Sequence, residues 1–358
     1  MVVHILSTGD VLHFYQKSLV LQFKGKRRVL STSCLNGGYR EDLKAVFNHD
    51  CKVGAGIGCT LKAPTYEAHQ ALIAEELGLD PELTAGLGTA ASMENAAIKE
   101  ESFAGLTVTA VVTGGIEVNG GRAGDPASYT DWTDHPEKPG TINTFLLIDA
   151  LLPPHALARA LITATEAKTA AIQELMAGSN YSAGLATGSG TDGTVIISNA
   201  EAAIKAESTG KHSKLGELIG RTVKEATKEA LYKQTGLGRE QQHSVLKRLK
   251  RYGITPERIW QAYLAHDGSK NKGDFWLALE SLDRERPLFL QTVQLVHLLD
   301  EWSWGLFWEE DLLEGASLIL QKIADIYGLK PKEINAAAAL EQEVLNNLLY
   351  LLQQMIAK

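Results

Sequence analysis

The chain of 358 residues predicts a layered α+β domain, a mixed or antiparallel sheet with packed helices, followed by an all-α domain. Three observations lead there. Short β-prone runs broken by glycine turns fill the first 34 residues, and strand–helix alternation follows around a glycine-rich loop. The last 120 or so residues change texture: five of the six tryptophans fall there, among leucine repeats of helical spacing. At this length single cores tend to split, so we divide the chain into residues 1–235 and 236–358.

HILSTGDVLHFYQ, SLVLQF and RRVLSTS read as antiparallel strands, with hairpin turns at Gly9-Asp10 and Lys24-Gly25-Lys26. Asn36-Gly37-Gly38 then lets the chain leave a strand with a polar amide at its tip. Helical spacing over 64–77 places Ala68, Leu72 and Leu77 on an apolar face and ends at Gly78. Pro81 opens a second helical segment that takes in the small residues 86–93. Leu106–Thr113 is a strand and leads to a second Asn-Gly-Gly loop at Asn119. Residues 131–139 form an acidic surface loop, and Thr144–Ile148 is a strand opened by Asn143.

Pro153-Pro154 starts a long helix to Met176. Leu157, Leu161, Ala164 and Ala171 share one face of it, and Lys168, seven residues after Leu161, joins them. A lysine there needs a partner. Glu166, two residues earlier, points to another side; Ile162 and Ile172 make that side apolar as well, so a partner across the layers is expected for it too.

Ala186–Gly193 reads ATGSGTDG, and the buried strand TVII follows. Glycines at 188, 190 and 193 bring backbone N–H groups near a ligand or a developing negative charge, while Thr187, Ser189, Thr191 and Asp192 supply hydroxyls and a carboxylate. A tight turn with side-chain caps has equal standing on this evidence. A P-loop does not, because the GK[ST] ending is missing and a strand follows. His212 precedes the helix 214–234, where the positive helix end favours a neutral ring able to act as a base. In the tail, Thr255-Pro256 starts a helix, and others cover 286–301, 309–326 and 331–356. Its tryptophans are read as core, and surplus apolar surface on the last helix offers a homo-oligomer contact.

Composition narrows the function classes. Net charge is −8, with 21 Lys/Arg against 26 Asp/Glu in 1–235 and 14 against 17 beyond, so nucleic acid is an unsuitable partner. No apolar run reaches the ~20 residues of a membrane span. Three cysteines without CxxC spacing give neither a disulfide framework nor a structural zinc site, and a cytoplasmic location is expected.

Six ordered motifs carry a resemblance: LNGGY (35–39), VVTGGIEVNGGRAGDPA (111–127), GTIN (140–143), ALITATEAKTAA (160–171), LATGSGTDGTVI (185–196) and GKHSKLGELIG (210–220). Together they resemble the adenosylcobinamide amidohydrolase family of corrinoid salvage over residues 28–232. Ser189 stands where that family's loop carries a threonine. The resemblance implies hydrolysis of the amide joining aminopropanol to the corrin propionate, with no required cofactor, the substrate being itself a cobalt corrinoid. It implies catalytic roles among Asp192, His212, Thr191, Ser189, Glu166 and Lys168. Substrate contacts are implied at Asn36, Asn143, Asn119, Thr187, Gly188 and Gly190. Asp192, His212 and Glu166 are also the set that would hold a metal if one were used. A non-catalytic corrinoid carrier or sensor is the alternative.

Overall fold

The computed structural model describes residues 1–52, 61–127, 140–266, 268–334 and 339–358. The 131–139 loop and Cys59 lie outside the described residues. The chain divides into two compact units, Met1–Gly238 and Arg239–Lys358.

Among the described residues the first unit holds thirteen strands: β1 (Val2–Ile5), β2 (Val11–Tyr15), β3 (Ser18–Gln22), β4 (Arg27–Ser31), β5 (Gly38–Arg40), β6 (Ala45–Asp50), β7 (Thr84–Thr89), β8 (Ala97–Phe103), β9 (Leu106–Gly114), β10 (Gly120–Gly121), β11 (Ile142–Ile148), β12 (Gly188–Ser189) and β13 (Gly193–Asn199). Its helices are α1 (Tyr66–Glu76), α2 (Pro154–Glu174) and α3 (Lys214–Thr235). A five-stranded sheet runs β1-β2-β3-β6-β7, and a six-stranded sheet runs β5-β4-β13-β11-β9-β8. Among the described residues β6–β7 and β11–β13 alone pair in parallel within these sheets, so the sheets are mixed.

Side-chain alternation along the strands builds the layers. On β11, Phe145 and Leu147 face the first sheet, meeting Leu19, Leu21, Val46 and Leu87. Ile142, Leu146 and Ile148 face α2 and α3 instead, with Leu157, Ala160, Ala164, Ile219 and Val223. A third, smaller core joins Val20 and Phe47 of the first sheet to Ile73, Ala74 and Leu77 around α1. The order is therefore α1, first sheet, second sheet, α2 with α3.

Four expectations change. Lys24–Lys26 is a crossover between sheets, because β3 pairs with β6 while β4 pairs with β13. The expected hairpin at Gly9-Asp10 joins β1 to β2, and a second, unexpected one joins β2 to β3 at Gln16-Lys17, both at positive φ (47° and 57°) without a glycine to announce it. The segment after Pro81 is one short 3-10 turn and then β7; Thr84 and Thr89 suit a strand, and Gly86 and Gly88 sit where α1 lies against it. On α1 the buried face is His69, Gln70, Ile73 and Ala74, with Leu72 exposed.

The second unit is helical: α4 (Arg239–Gln242), α5 (Val245–Leu249), α6 (Pro256–Ala265), α7 (Lys272–Asp283), α8 (Arg286–Ser303), α9 (Glu309–Tyr327) and α10 (Leu340–Ala357). The last helix starts nine residues later than its leucine pattern suggests, at Leu340. Leu345, Leu348, Leu351 and Leu352 are buried inside the unit, so α10 has no surplus apolar face there. The tryptophans of this unit divide: Trp260, Trp276 and Trp302 are half-buried, Trp260 packing edge-on against the buried ring of Phe275, while Trp304 and Trp308 flank the α8–α9 turn at 45% and 78% exposure. A turn between two helices cannot be enclosed as a helix face is, which is why spacing misled here.

Candidate functional site

The loop between β12 and β13 sits at the end of the second sheet where parallel strands β11 and β13 begin. Lys168, on the inner face of α2, reaches it and pairs with Asp192 Oδ2. The expected partner of that lysine is thus found across the layer. Asp192 Oδ1 accepts from Ser189 Oγ (2.6 Å) and from Ile142 N (2.9 Å), while Oδ2 also accepts from Ser189 N (3.1 Å). Four donors fill the four lone-pair positions of one carboxylate, and both side chains of the ion pair are largely sequestered, at 14% and 12% exposure.

Glycine is required at 188. A Cβ there would lie 2.4 Å from Asp192 Oδ2 and 2.8 Å from Lys168 Nζ, so any side chain would part the pair. Gly190 and Thr191 stand exposed at the loop's tip. Among the described residues the Gly190 N–H has no hydrogen-bond acceptor, which makes it a donor available to a ligand. Thr191 is more committed: its Oγ1 donates to Gly140 O (3.0 Å), and its N–H donates to Ser189 Oγ (3.2 Å).

The remaining implied residues separate into frame and surface. Thr187 belongs to the frame, since its Oγ1 accepts from Ala123 N (2.9 Å) and its carbonyl from Thr169 Oγ1 (3.0 Å). Asn119 donates to Gly140 O (3.0 Å) and accepts from Tyr181 OH (3.1 Å). Asn143 is 2% exposed; its Nδ2 donates to Asn48 Oδ1 (2.7 Å) and Gly88 O (3.0 Å), and its Oδ1 accepts from Gly193 N (3.1 Å). It is enclosed by protein and its hydrogen bonds hold the loop to β6 and β7. Asn36, in the left-handed region at φ 52°, donates to Pro81 O and Thr84 O and accepts from Arg40. It is a turn residue, and among the described residues none of these hydrogen bonds reaches the loop.

Glu166 and His212 do not join the cluster. The helix phase of α2 turns Glu166 outward, where it pairs with Lys211 (2.9 Å), and Ile162 on that side is 48% exposed. His212 is exposed just before the cap of α3, Ser213. Among the described residues no hydrogen bond or ion pair ties it to Asp192. No group of three His, Cys, Asp or Glu side chains among those residues is placed to hold a metal, so Asp192, His212 and Glu166 do not form a ligand set.

Other residues complete the frame without having been singled out. Asn48 Nδ2 donates to Thr113 Oγ1 (2.8 Å), extending the Asn143 network into β9. Asp125 accepts from Arg122 N (2.8 Å) and Ser179 Oγ (2.6 Å), clasping the strand β10 region to the segment before β12. Burial alone would raise its carboxyl; hydrogen bonds from Ser179, Ser182 and Arg122 outweigh that and hold it below the usual carboxylate range. An isolated Asp-Pro in a loop gives no sequence signal of this clasp.

Comparison with known proteins follows this geometry. The family described as adenosylcobinamide amidohydrolase matches residues 4–239. An uncharacterized protein of Methanocaldococcus jannaschii is 37% identical over 231 residues, 61% of this chain and 87% of that one. A Methanosarcina mazei protein named adenosylcobinamide amidohydrolase is 31% identical over 187 residues, covering 52% and 76%. The crystal structure of the PH0078 protein from Pyrococcus horikoshii aligns with 63% of this chain and 82% of its own at a TM-score of 0.32 and 13% identity. No described helix is long and apolar enough to cross a membrane.

Proposed function

Since the chain belongs to the adenosylcobinamide amidohydrolase family, we propose that it hydrolyses the amide between 1-amino-2-propanol and the corrin propionate of adenosylcobinamide, releasing adenosylcobyric acid. The observation that carries this reading is the array Lys168–Asp192–Ser189, with Ser189 Oγ 2.6 Å from Asp192 Oδ1. It has the parts of a nucleophile and its base, the base oriented by a third group.

In the proposed reaction Ser189 Oγ attacks the amide carbon, and its proton passes to Asp192 along the existing hydrogen bond. The Gly190 N–H faces the negative charge that develops on the carbonyl oxygen. Collapse breaks the C–N bond, the aminopropanol nitrogen takes the proton from Asp192, and an ester remains on Ser189. Water then attacks that ester, giving its proton to Asp192, which returns one to Ser189 Oγ as the corrinoid acid leaves. Lys168 fixes the carboxylate's orientation throughout. The cobalt arrives and departs with the substrate.

Incubation with adenosylcobinamide, followed by mass spectrometry of aminopropanol and adenosylcobyric acid, tests the reading. Both products are expected in equal amounts. Tight corrinoid binding without either product would contradict it and leave a carrier.

A further inference from the structure

The Gly190 N–H can meet a developing oxyanion only if the tip of the loop is held in one orientation. Glycine does not supply that by itself: with no Cβ and, among the described residues, no acceptor for its N–H, Gly190 takes its direction from its neighbours. Ser189 is fixed on one side by Asp192, its Oγ 2.6 Å from Oδ1. On the other, Thr191 is fixed by the Gly140 carbonyl, which accepts from Thr191 Oγ1 (3.0 Å), and by Thr141, whose Oγ1 donates to Thr191 O.

Gly140 O is the hub of a chain that runs away from the loop. It also accepts from Asn119 Nδ2 (3.0 Å), so two donors fill its two lone pairs. Asn119 is 6% exposed, and its Oδ1 accepts from Tyr181 OH (3.1 Å). That donor decides which way the amide lies. With Tyr181 giving its proton to Oδ1, Nδ2 is turned toward Gly140 O; the reversed amide would set two oxygens against each other there. Close packing leaves the hub little slack, since a Cβ at Gly140, at φ 130°, would lie 2.9 Å from Gly115 O and 3.2 Å from Asn119 Cβ. Gly190 is itself a neighbour of this amide, its Cβ position being 3.7 Å from Asn119 Oδ1.

Tyr181 is anchored independently of that chain. Its N–H donates to Ser179 Oγ (3.0 Å), the N–H of Asn180 donates to Gly120 O (2.9 Å), and its ring lies over Gly121, where a Cβ would come within 3.3 Å of it. Gly120 and Gly121 pair with Ser189 and Gly188 across β10 and β12. The hydroxyl is thus tied to the reacting loop from two directions, through the strand pair to Ser189 and through Asn119 and Gly140 to Thr191.

We propose that Tyr181 is a positioning residue: its hydroxyl, acting through Asn119 and the Gly140 carbonyl, holds the loop tip so that the Gly190 N–H points at the reacting carbonyl. Its service to amide hydrolysis rests on the function proposed above; the alignment of the tip does not.

The test is Tyr181→Phe, which removes one oxygen and keeps the ring over Gly121. Its melting temperature is expected within about 4 °C of the wild type. With adenosylcobinamide, kcat is expected to fall about tenfold, short of the roughly 10²–10³ that losing an oxyanion donor outright costs, with KM within about twofold because substrate binding is left alone. Thr191→Val cuts the same chain at its other end, so the double variant should lose about as much as the worse single variant instead of the product of both. In isotope-labelled protein without substrate, the Gly190 amide resonance should move in Tyr181→Phe. Should that variant fold poorly, Asn119→Asp, which keeps the size and the acceptor for Tyr181 but loses the amide donor, is read the same way. Wild-type kcat in Tyr181→Phe, multiplicative losses in the double variant or an unmoved Gly190 resonance overturns the inference, and the first two leave the amidohydrolase standing. A wild type that cleaves no adenosylcobinamide, while its Gly190 resonance shifts on Tyr181→Phe, removes the amidohydrolase and upholds Tyr181 as the residue that sets the loop tip.

Discussion

Lys168 and Glu166 stand two residues apart on one helix and meet opposite fates. Lys168 points into the layer and closes on Asp192, whose carboxylate is filled by four donors. Glu166 points out and pairs with Lys211, both about half exposed. Buried charges that are paired and hydrogen-bonded are costly to break, whereas exposed pairs contribute little. Motif membership is thus a poor guide to role, and helix phase a better one.

The largest effects should separate these two places. Asp192→Asn removes the proposed base and the anionic partner of Lys168; release of aminopropanol is expected to fall by about 10²–10⁴. Lys168→Met should lower unfolding free energy by about 3 kcal/mol in urea titration, with a corresponding loss of turnover as Asp192 loses its fixed orientation. Gly188→Ala should resemble Lys168→Met, since its methyl falls on the same two atoms; wild-type activity and stability in it would break the account of the close approach. Glu166→Gln and His212→Ala define the other pole: kcat within about twofold and stability within about 0.5 kcal/mol. A hundredfold loss in either would reverse the comparison.

A smaller effect comes from His49. Burial is the main cause that pushes its imidazole down to about 4, with Lys62 and His69 adding to the shift and Asp50 and Glu76 opposing it. Ser18 Oγ lies 2.8 Å from Nδ1. The unfolded chain takes up a proton below about 6.5 that the folded protein refuses until about 4. The stability this group contributes is therefore complete above about 6.5 and lost as pH falls toward 4. Urea midpoints for His49→Gln should show a shallower fall across that window than the wild type.

Much of this was legible in the chain. The seven-residue step from Leu161 put Lys168 on the apolar face, and burial there demanded a partner. The glycine–hydroxyl–carboxylate loop marked its location. The illegible part has a common cause: sequence gives a side chain's chemistry but not its direction. Asn143 and Asn36 read as amides for a ligand, yet their hydrogen bonds go to β7 and its surroundings. His69 and Gln70 were hidden in the opposite way, as polar residues in a helix whose exposed Leu72 seemed to mark its buried face. Ile162 misled about Glu166 by the same route. Gly86 and Gly88 looked like small-residue helix packing because the contact that needs them, with Gln70, crosses from another element.

The most direct measurement is turnover by Ser189→Ala, which removes one oxygen while leaving Asp192 its ion pair with Lys168. With adenosylcobinamide as substrate, aminopropanol release should fall at least about a hundredfold, and acid-quenched wild-type protein should carry the corrinoid acyl mass on the peptide containing Ser189. Wild-type turnover by Ser189→Ala, with no such adduct in the wild type, would contradict the array as the seat of the chemistry.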